Sequence, residues 1–152
     1  PQCYTLQAKV KNMRLLRYFF ATALLLPILS AEKKPIVPAG ATTAGPYTPG
    51  IVSNGVLYVA GQIGRDASGQ IPDNFEAEVQ ATLDNVDRIL KAAGVTPADA
   101  IAVQVYLTDM DLFERMNKVY MNYFPEPRPA RTTVGVAKLV GKSRIEITVT
   151  AD

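Results

Sequence analysis

Histidine is absent from all 152 residues, and the only cysteine, Cys3, lies in an N-terminal tail. These absences exclude a Ser-His triad, a cysteine nucleophile in the body of the chain, and zinc or haem sites of the usual ligand types. No metal or other cofactor is expected. No disulfide can form within the body either, which leaves the redox compartment open. Acidic residues are missing from one region: residues 1–31 contain Lys9, Lys11, Arg14 and Arg17 but no Asp or Glu. From Met13 the chain reads Met-Arg-Leu-Leu-Arg, then Tyr18 to Leu29 almost wholly apolar, then Ser30-Ala31-Glu32. A basic start, an apolar run of about a dozen residues and a small-residue end form the pattern of a secretory signal. The run is short for a membrane span, which needs about 20 residues.

Residues 1–31 are therefore read as a leader, with Met13 as the native initiator and residues 32–152 as the domain it exports to the periplasm or outside. A cut after Ala31 puts Leu29 where a small residue is preferred, so the cleavage position stays open. A mitochondrial presequence has the same basic, acid-free composition, and an intrinsic amphipathic helix on a cytoplasmic protein is a third reading. The net charge of +2 belongs to this segment, because residues 32–152 carry twelve basic against fourteen acidic residues. No basic cluster interleaved with aromatics occurs in the body. Neither a nucleic acid nor, once the leader is gone, a membrane is expected as partner.

Along the body, residues 32–46 are rich in Pro, Ala, Gly and Thr and read as a connecting arm. Tyr47 follows Gly45-Pro46, alone among turn-forming residues, in keeping with a surface or hairpin tyrosine. Ile51-Val52 and Val56–Ile63 read as strands around Ser53-Asn54-Gly55, a tight-turn signal. Gly61 interrupts the second strand, marking a bulge, a close backbone approach or relief of crowding under a helix. Asp73–Ala93 is the clearest helix, with Phe75, Val79, Leu83, Val86 and Leu90 on one stripe. Asp73 with Glu76 resembles a capping box, and Gly94 supplies the stop. Ala100–Leu107 alternates as a strand, with Ile101, Val103 and Val105 on one face and Gln104 and Tyr106 on the other. A second helix starts at Asp109 or Asp111, carries Leu112, Met116, Val119, Tyr120 and Tyr123, and ends before Pro125. Asn117 sits at the edge of that stripe and on pattern alone reads as solvated.

The C-terminal stretch combines strand character with unusual charge placement. Pro127–Leu139 and Arg144–Ala151 read as two strands joined by a Gly141-Lys142-Ser143 turn. Arg131 opens the first, and Glu146 lies between Ile145 and Ile147, pointing away from them. A guanidinium at a strand end and a carboxylate inside a neighbouring strand are placed to meet over a pocket. The order β-β-α-β-α-β-β predicts an α+β domain, one mixed sheet with two helices on one face. Gln104, Tyr106, Glu146, Thr148 and Thr150 make the other face semi-polar, which suits contact between subunits.

The run Arg128-Pro129-Ala130-Arg131-Thr132-Thr133-Val134-Gly135-Val136, followed by Ile145-Glu146-Ile147, closely resembles the C-terminal signature of the Rid (YjgF/L-PSP) family. Ala44-Gly45-Pro46-Tyr47, Val59–Ile63, Ala81–Val86 and Asn117 with Tyr120 and Phe124 agree in order and spacing, so the resemblance covers roughly residues 36–151. It implies a chorismate-mutase-like homotrimer with sites in the clefts between subunits. For the RidA branch it also implies hydrolysis of 2-iminobutanoate and 2-iminopropanoate to 2-oxo acids and ammonia. It further implies that Arg131 holds the substrate carboxylate, with Tyr47, Gly61, Asn117 and Glu146 lining the pocket. Ala60 stands where well-studied members have serine, and Thr133 where they often have cysteine, acting through backbone groups. An arginine fork binds a carboxylate through two parallel hydrogen bonds, and a carboxylate such as Glu146 can activate water. The alternative is a trimer that binds small carboxylates without turnover, or acts as a chaperone.

Overall fold

The computed structural model describes residues 32–41 and 45–152. The expected leader lies outside these residues. The elements are β1 (Lys34–Ile36), β2 (Gly50–Ser53), β3 (Val56–Ile63), α1 (Phe75–Ala93), β4 (Ala100–Leu107), α2 (Phe113–Tyr123), β5 (Ala130–Gly135) and β6 (Ile145–Ala151). One mixed sheet runs β1-β2-β3-β6-β4-β5, antiparallel except for the parallel pair β4 and β5. The fold is α+β, as the pattern predicts. The expected arm over residues 32–46 is corrected at Lys34–Ile36, which pairs with β2 as an edge strand.

The tight turn between β2 and β3 follows from its sequence. Asn54 and Gly55 both have positive φ, 52° and 85°, as a two-residue hairpin turn of matching twist requires. The cap of α1 is Asn74 rather than Asp73: the Asn74 side chain accepts from the Ala77 amide at 2.9 Å. Gly94, with φ of 82°, ends that helix in the left-handed conformation.

The expected hairpin of the last two strands is also corrected. β5 pairs with β4 in parallel, and β6 lies between β3 and β4. The physical reason lies in the side chains. Ile145, Ile147, Val149 and Ala151 are all fully buried, so β6 takes the centre of the sheet. β5 carries Arg131, Thr132 and Thr133, and its polar character suits an edge. The β4–α2–β5 crossover supplies the helix that a parallel pair needs. Residues on β4 alternate as expected from Val103 to Leu107, but a register shift between Ala100 and Ala102 leaves Ile101 half exposed.

Both helices pack on one face of the sheet. Val79, Leu83, Val86 and Leu90 of α1 meet Val59, Val105, Ile147 and Val149 from the strands in one core, with Met116 and Tyr120 of α2. Among the described residues no element covers the opposite face, where Tyr58, Ile101 and Val134 are exposed. No described helix is long and apolar enough to cross a membrane.

One charged residue belongs to this core. Glu78 is wholly buried in the apolar stripe of α1, and its two oxygens accept from the Arg144 amide at 2.7 Å and from Arg144 Nε at 2.6 Å. Arg144 Nη2 also donates to the Pro72 carbonyl at 2.8 Å. A Cβ on Gly64 would overlap the Glu78 backbone carbonyl, so a glycine is required where the end of β3 meets α1. Breaking such a pair from one side leaves a buried charge, so Glu78→Ala should destabilise the fold by about 3–5 kcal/mol in urea unfolding. Glu78→Leu with Arg144→Met should recover most of that loss.

A second ion pair joins the helices at the surface. Arg115 Nε and Nη2 donate to Glu76 Oε1 and Oε2, both at 2.7 Å. The hydrogen bond from Arg115 holds the Glu76 carboxyl down to about 2, against an ordinary value of 4.5. Because the folded value is the lower one, the pair contributes in full above pH 4.5, and its contribution is lost as pH falls towards 2. Carbon-detected NMR titration should place the Glu76 midpoint near 2, and Arg115→Ala should return it towards 4.5.

Candidate active site

β3 and β6 pair regularly except at Ala60 and Gly61, where the register shifts between Val59 and Gln62. The Ala60 amide instead donates to the Pro49 carbonyl at 2.9 Å, and the Gln62 side chain donates to the Ala60 carbonyl at 2.8 Å and that of Gly61 at 3.2 Å. This bulge turns the Gly61 backbone towards Glu146, whose Oε1 would overlap a Cβ placed on Gly61. The glycine marks a close approach, one of its sequence readings, and what approaches is a carboxylate.

Gly61 and Glu146 line a cleft of about 840 Å³ together with Tyr47, Ala60 and Ile63. Tyr47 is 59% exposed at its mouth. Its ring folds back onto Gly45, where a side chain would overlap it. Among the described residues Glu146 has no cationic partner within 4 Å.

Arg131 lies elsewhere. It is level with Val103 of β4, and through it with Val149 of β6, on the face covered by the helices. Its guanidinium stacks 4.5 Å from the Tyr120 ring and 5.5 Å from that of Phe113, and Nη1 is 3.9 Å from the Met116 sulfur. Cation–π stacking fixes the plane of the group, while a thioether is a weak acceptor, so the N–H edges keep their capacity for a carboxylate. Asn117, half-buried, falls between Phe113 and Tyr120 at helical spacing, beside the stripe that meets Arg131. Thr133, two residues along β5 on the same face, has a buried hydroxyl without a partner, as does Tyr120. Burial pushes the Tyr120 phenol up, against an opposing influence from Arg131 and Arg128.

Within one chain the six expected site residues thus form two groups. Tyr47, Gly61 and Glu146 share the cleft; Arg131, Asn117 and Thr133 gather where β5 meets α2. The expected meeting of Arg131 and Glu146 over a pocket does not occur within the chain, because inward and outward positions alternate and these two fall on opposite faces. Phe113 was missed in the sequence, although its spacing from Tyr120 was a usable signal. Asn85 was also missed as a positioning group: its amide donates to the carbonyls of Ile63 and Arg65 at 2.8 and 3.0 Å, where β3 ends. Among the described residues no cluster of His, Cys, Asp or Glu is placed to hold a metal ion.

The family model described as Endoribonuclease L-PSP matches residues 39–152. A RutC family protein of Pyrococcus horikoshii is 42% identical over 105 residues, 68% of this chain and 83% of the relative. The 2-iminobutanoate/2-iminopropanoate deaminase of Bos taurus is 35% identical over 128 residues, 83% and 89% of the two chains. Among solved structures, Escherichia coli TdcF with bound serine superimposes with a TM-score of 0.72 at 33% identity, covering 78% of this chain and 98% of that one.

The clash at Gly61 involves the far end of a flexible side chain, so Gly61→Ala should fold normally, with stability within about 1 kcal/mol of the parent. A crystal structure of this variant should show the Glu146 carboxylate displaced from the bulge.

Proposed function

The chain belongs to the Rid (YjgF/L-PSP) family, and from that premise we propose that it hydrolyses small 2-imino acids to 2-oxo acids and ammonia. The reaction takes place in clefts completed between copies of the chain, three in a homotrimer. The observation that carries this reading is the pair of unmatched charges. Arg131 is a positioned guanidinium without a carboxylate, and Glu146 is a positioned carboxylate without a cation, on opposite faces of one sheet. A second copy brings the Arg131 group of one chain to the Glu146 group of another, across the sheet face left uncovered here.

Arg131 takes the substrate carboxylate in two parallel hydrogen bonds, with Asn117 and Thr133 beside it and Tyr47 across the mouth. Water adds to the carbon of the protonated C=N bond, and Glu146 accepts a proton from it. That proton passes to the amino nitrogen. The C–N bond then breaks as the hydroxyl oxygen forms the carbonyl, and the hydroxyl proton leaves through Glu146. Iminium and water become 2-oxo acid and ammonium, with no covalent intermediate on the protein. A protonated imine is already electrophilic, so orientation and a general base are sufficient help.

Binding of small carboxylates without turnover is the second reading, favoured by the serine bound to TdcF. Ribonuclease action, despite the family model's description, has little footing in a body of net charge −2 without histidine.

A dehydratase-coupled assay separates these readings: the protein should speed imine loss over buffer, and ligand-induced thermal stabilisation without acceleration would leave the binding reading. Arg131→Ala and Glu146→Gln should each reduce the acceleration by about 10²–10⁴-fold. Refolding the two variants together should recover about a quarter of the wild-type rate, because random assembly restores one cleft in four when the two groups come from different chains. No recovery would remove the shared cleft from the mechanism.

A further inference from the structure

Among the described residues, Arg115, Arg128 and Arg144 are each paired with a carboxylate, whereas Arg65, Arg88 and Arg131 have none within 4 Å. Arg131 is accounted for above. Arg65 and Arg88 both line the cleft that holds Gly61 and Glu146. They are held by neutral groups only. Arg65 Nη1 donates to the Gly69 carbonyl at 2.8 Å. Arg88 Nη2 donates to Asn85 Oδ1, and the amide of the same Asn85 donates to the Arg65 carbonyl at 3.0 Å. Carbonyl and carboxamide acceptors fix a guanidinium without neutralising it, and each group keeps unused N–H donors.

The cleft also contains acid, but neither carboxylate lies within 4 Å of these arginines. Asp66 Oδ1 accepts from the Ser68 amide, the Ser68 hydroxyl and the Gln70 amide at 2.9, 2.7 and 2.9 Å within its own turn. Glu146 stands against the Gly61 bulge. Asn85 ties the Arg88 guanidinium to the Arg65 backbone, and two cations without a carboxylate partner on the wall of one cleft favour an anion there.

We propose that Arg65 and Arg88 form a second anion subsite in this cleft, selecting ligands that carry a distal acidic group. On the deaminase reading, on which this rests, the preferred substrates are 2-imino dicarboxylates of four or five carbons. One carboxylate is held by Arg131 and the other by the Arg65 and Arg88 pair.

Calorimetric titration of the full chain with stable 2-oxo acids tests the subsite. 2-Oxoglutarate should bind about tenfold or more tightly than 2-oxobutanoate, which lacks the second acid. Arg65→Met with Arg88→Gln, both at exposed positions, should bring the two affinities together while the melting temperature stays unchanged. Equal affinities in the parent, or a dicarboxylate advantage that survives the double substitution, overturns the subsite. Glutarate, which has two acids and no 2-oxo group, separates this from the deaminase reading. If imine turnover fails yet glutarate binding is lost in the double variant, the subsite stands and the reaction does not; glutarate binding indifferent to the double variant overturns the subsite alone.

Discussion

The ion pair between Glu78 and Arg144 sets the position of everything near the cleft. Its carboxylate is fully buried and receives both the backbone amide and the side chain of Arg144, the residue just before β6. A charge is stable there only because each oxygen has its own donor. The Arg144 carbonyl in turn accepts from the Thr108 amide at 3.0 Å, where β4 ends, so one residue ties α1, β4 and β6 together. Glu146 follows two residues later, and its height in the sheet is set by that anchor. Gly64 lets the end of β3 come close enough to α1 to complete the arrangement.

From this register comes the division of the site. β6 must turn Ile145, Ile147 and Val149 towards the helices, which sends Glu146 to the other face. β5, parallel to β4, turns Arg131 and Thr133 towards α2. A cation on the helix side of a sheet needs surroundings that tolerate it, and two aromatic rings and a thioether supply them. The two charges cannot meet within one chain without a one-residue slip that would turn the buried Ile145, Ile147 and Val149 out of the core. On the proposed reading, a cleft shared between copies is the arrangement in which both remain compatible with the core.

Much of the fold was legible because the signals are local. The apolar stripe of α1, the Asn54-Gly55 turn and the Gly94 stop each follow from a few neighbouring residues. Strand pairing was not legible for the last two strands, because a nearby glycine turn suggests a hairpin while burial decides the order. Burial of β6 between β3 and β4 depends on residues far away in sequence. The short edge strand Lys34–Ile36 carries too few residues for a period to show. Glu78 offered a signal that went unused: a carboxylate on an apolar stripe implies a buried partner. Arg131, Glu146, Tyr47, Gly61, Asn117 and Thr133 were singled out mainly through resemblance. Spacing alone did not reveal which of them share a face.

On the proposed reading, the charge arrangement also narrows what a cleft completed by a second copy can hold. A protonated 2-imino acid is a small zwitterion, anionic at the carboxylate and cationic at the nitrogen. Arg131 without an anion and Glu146 without a cation are complementary to those two ends. On that reading a neutral ligand would leave both charges without a partner. The absence of histidine is compatible with the proposed chemistry, because a protonated imine itself supplies the electrophile and the proton on nitrogen. On that reading the protein contributes a fixed direction for water, and Glu146, set against the Gly61 backbone, is the group placed to give it.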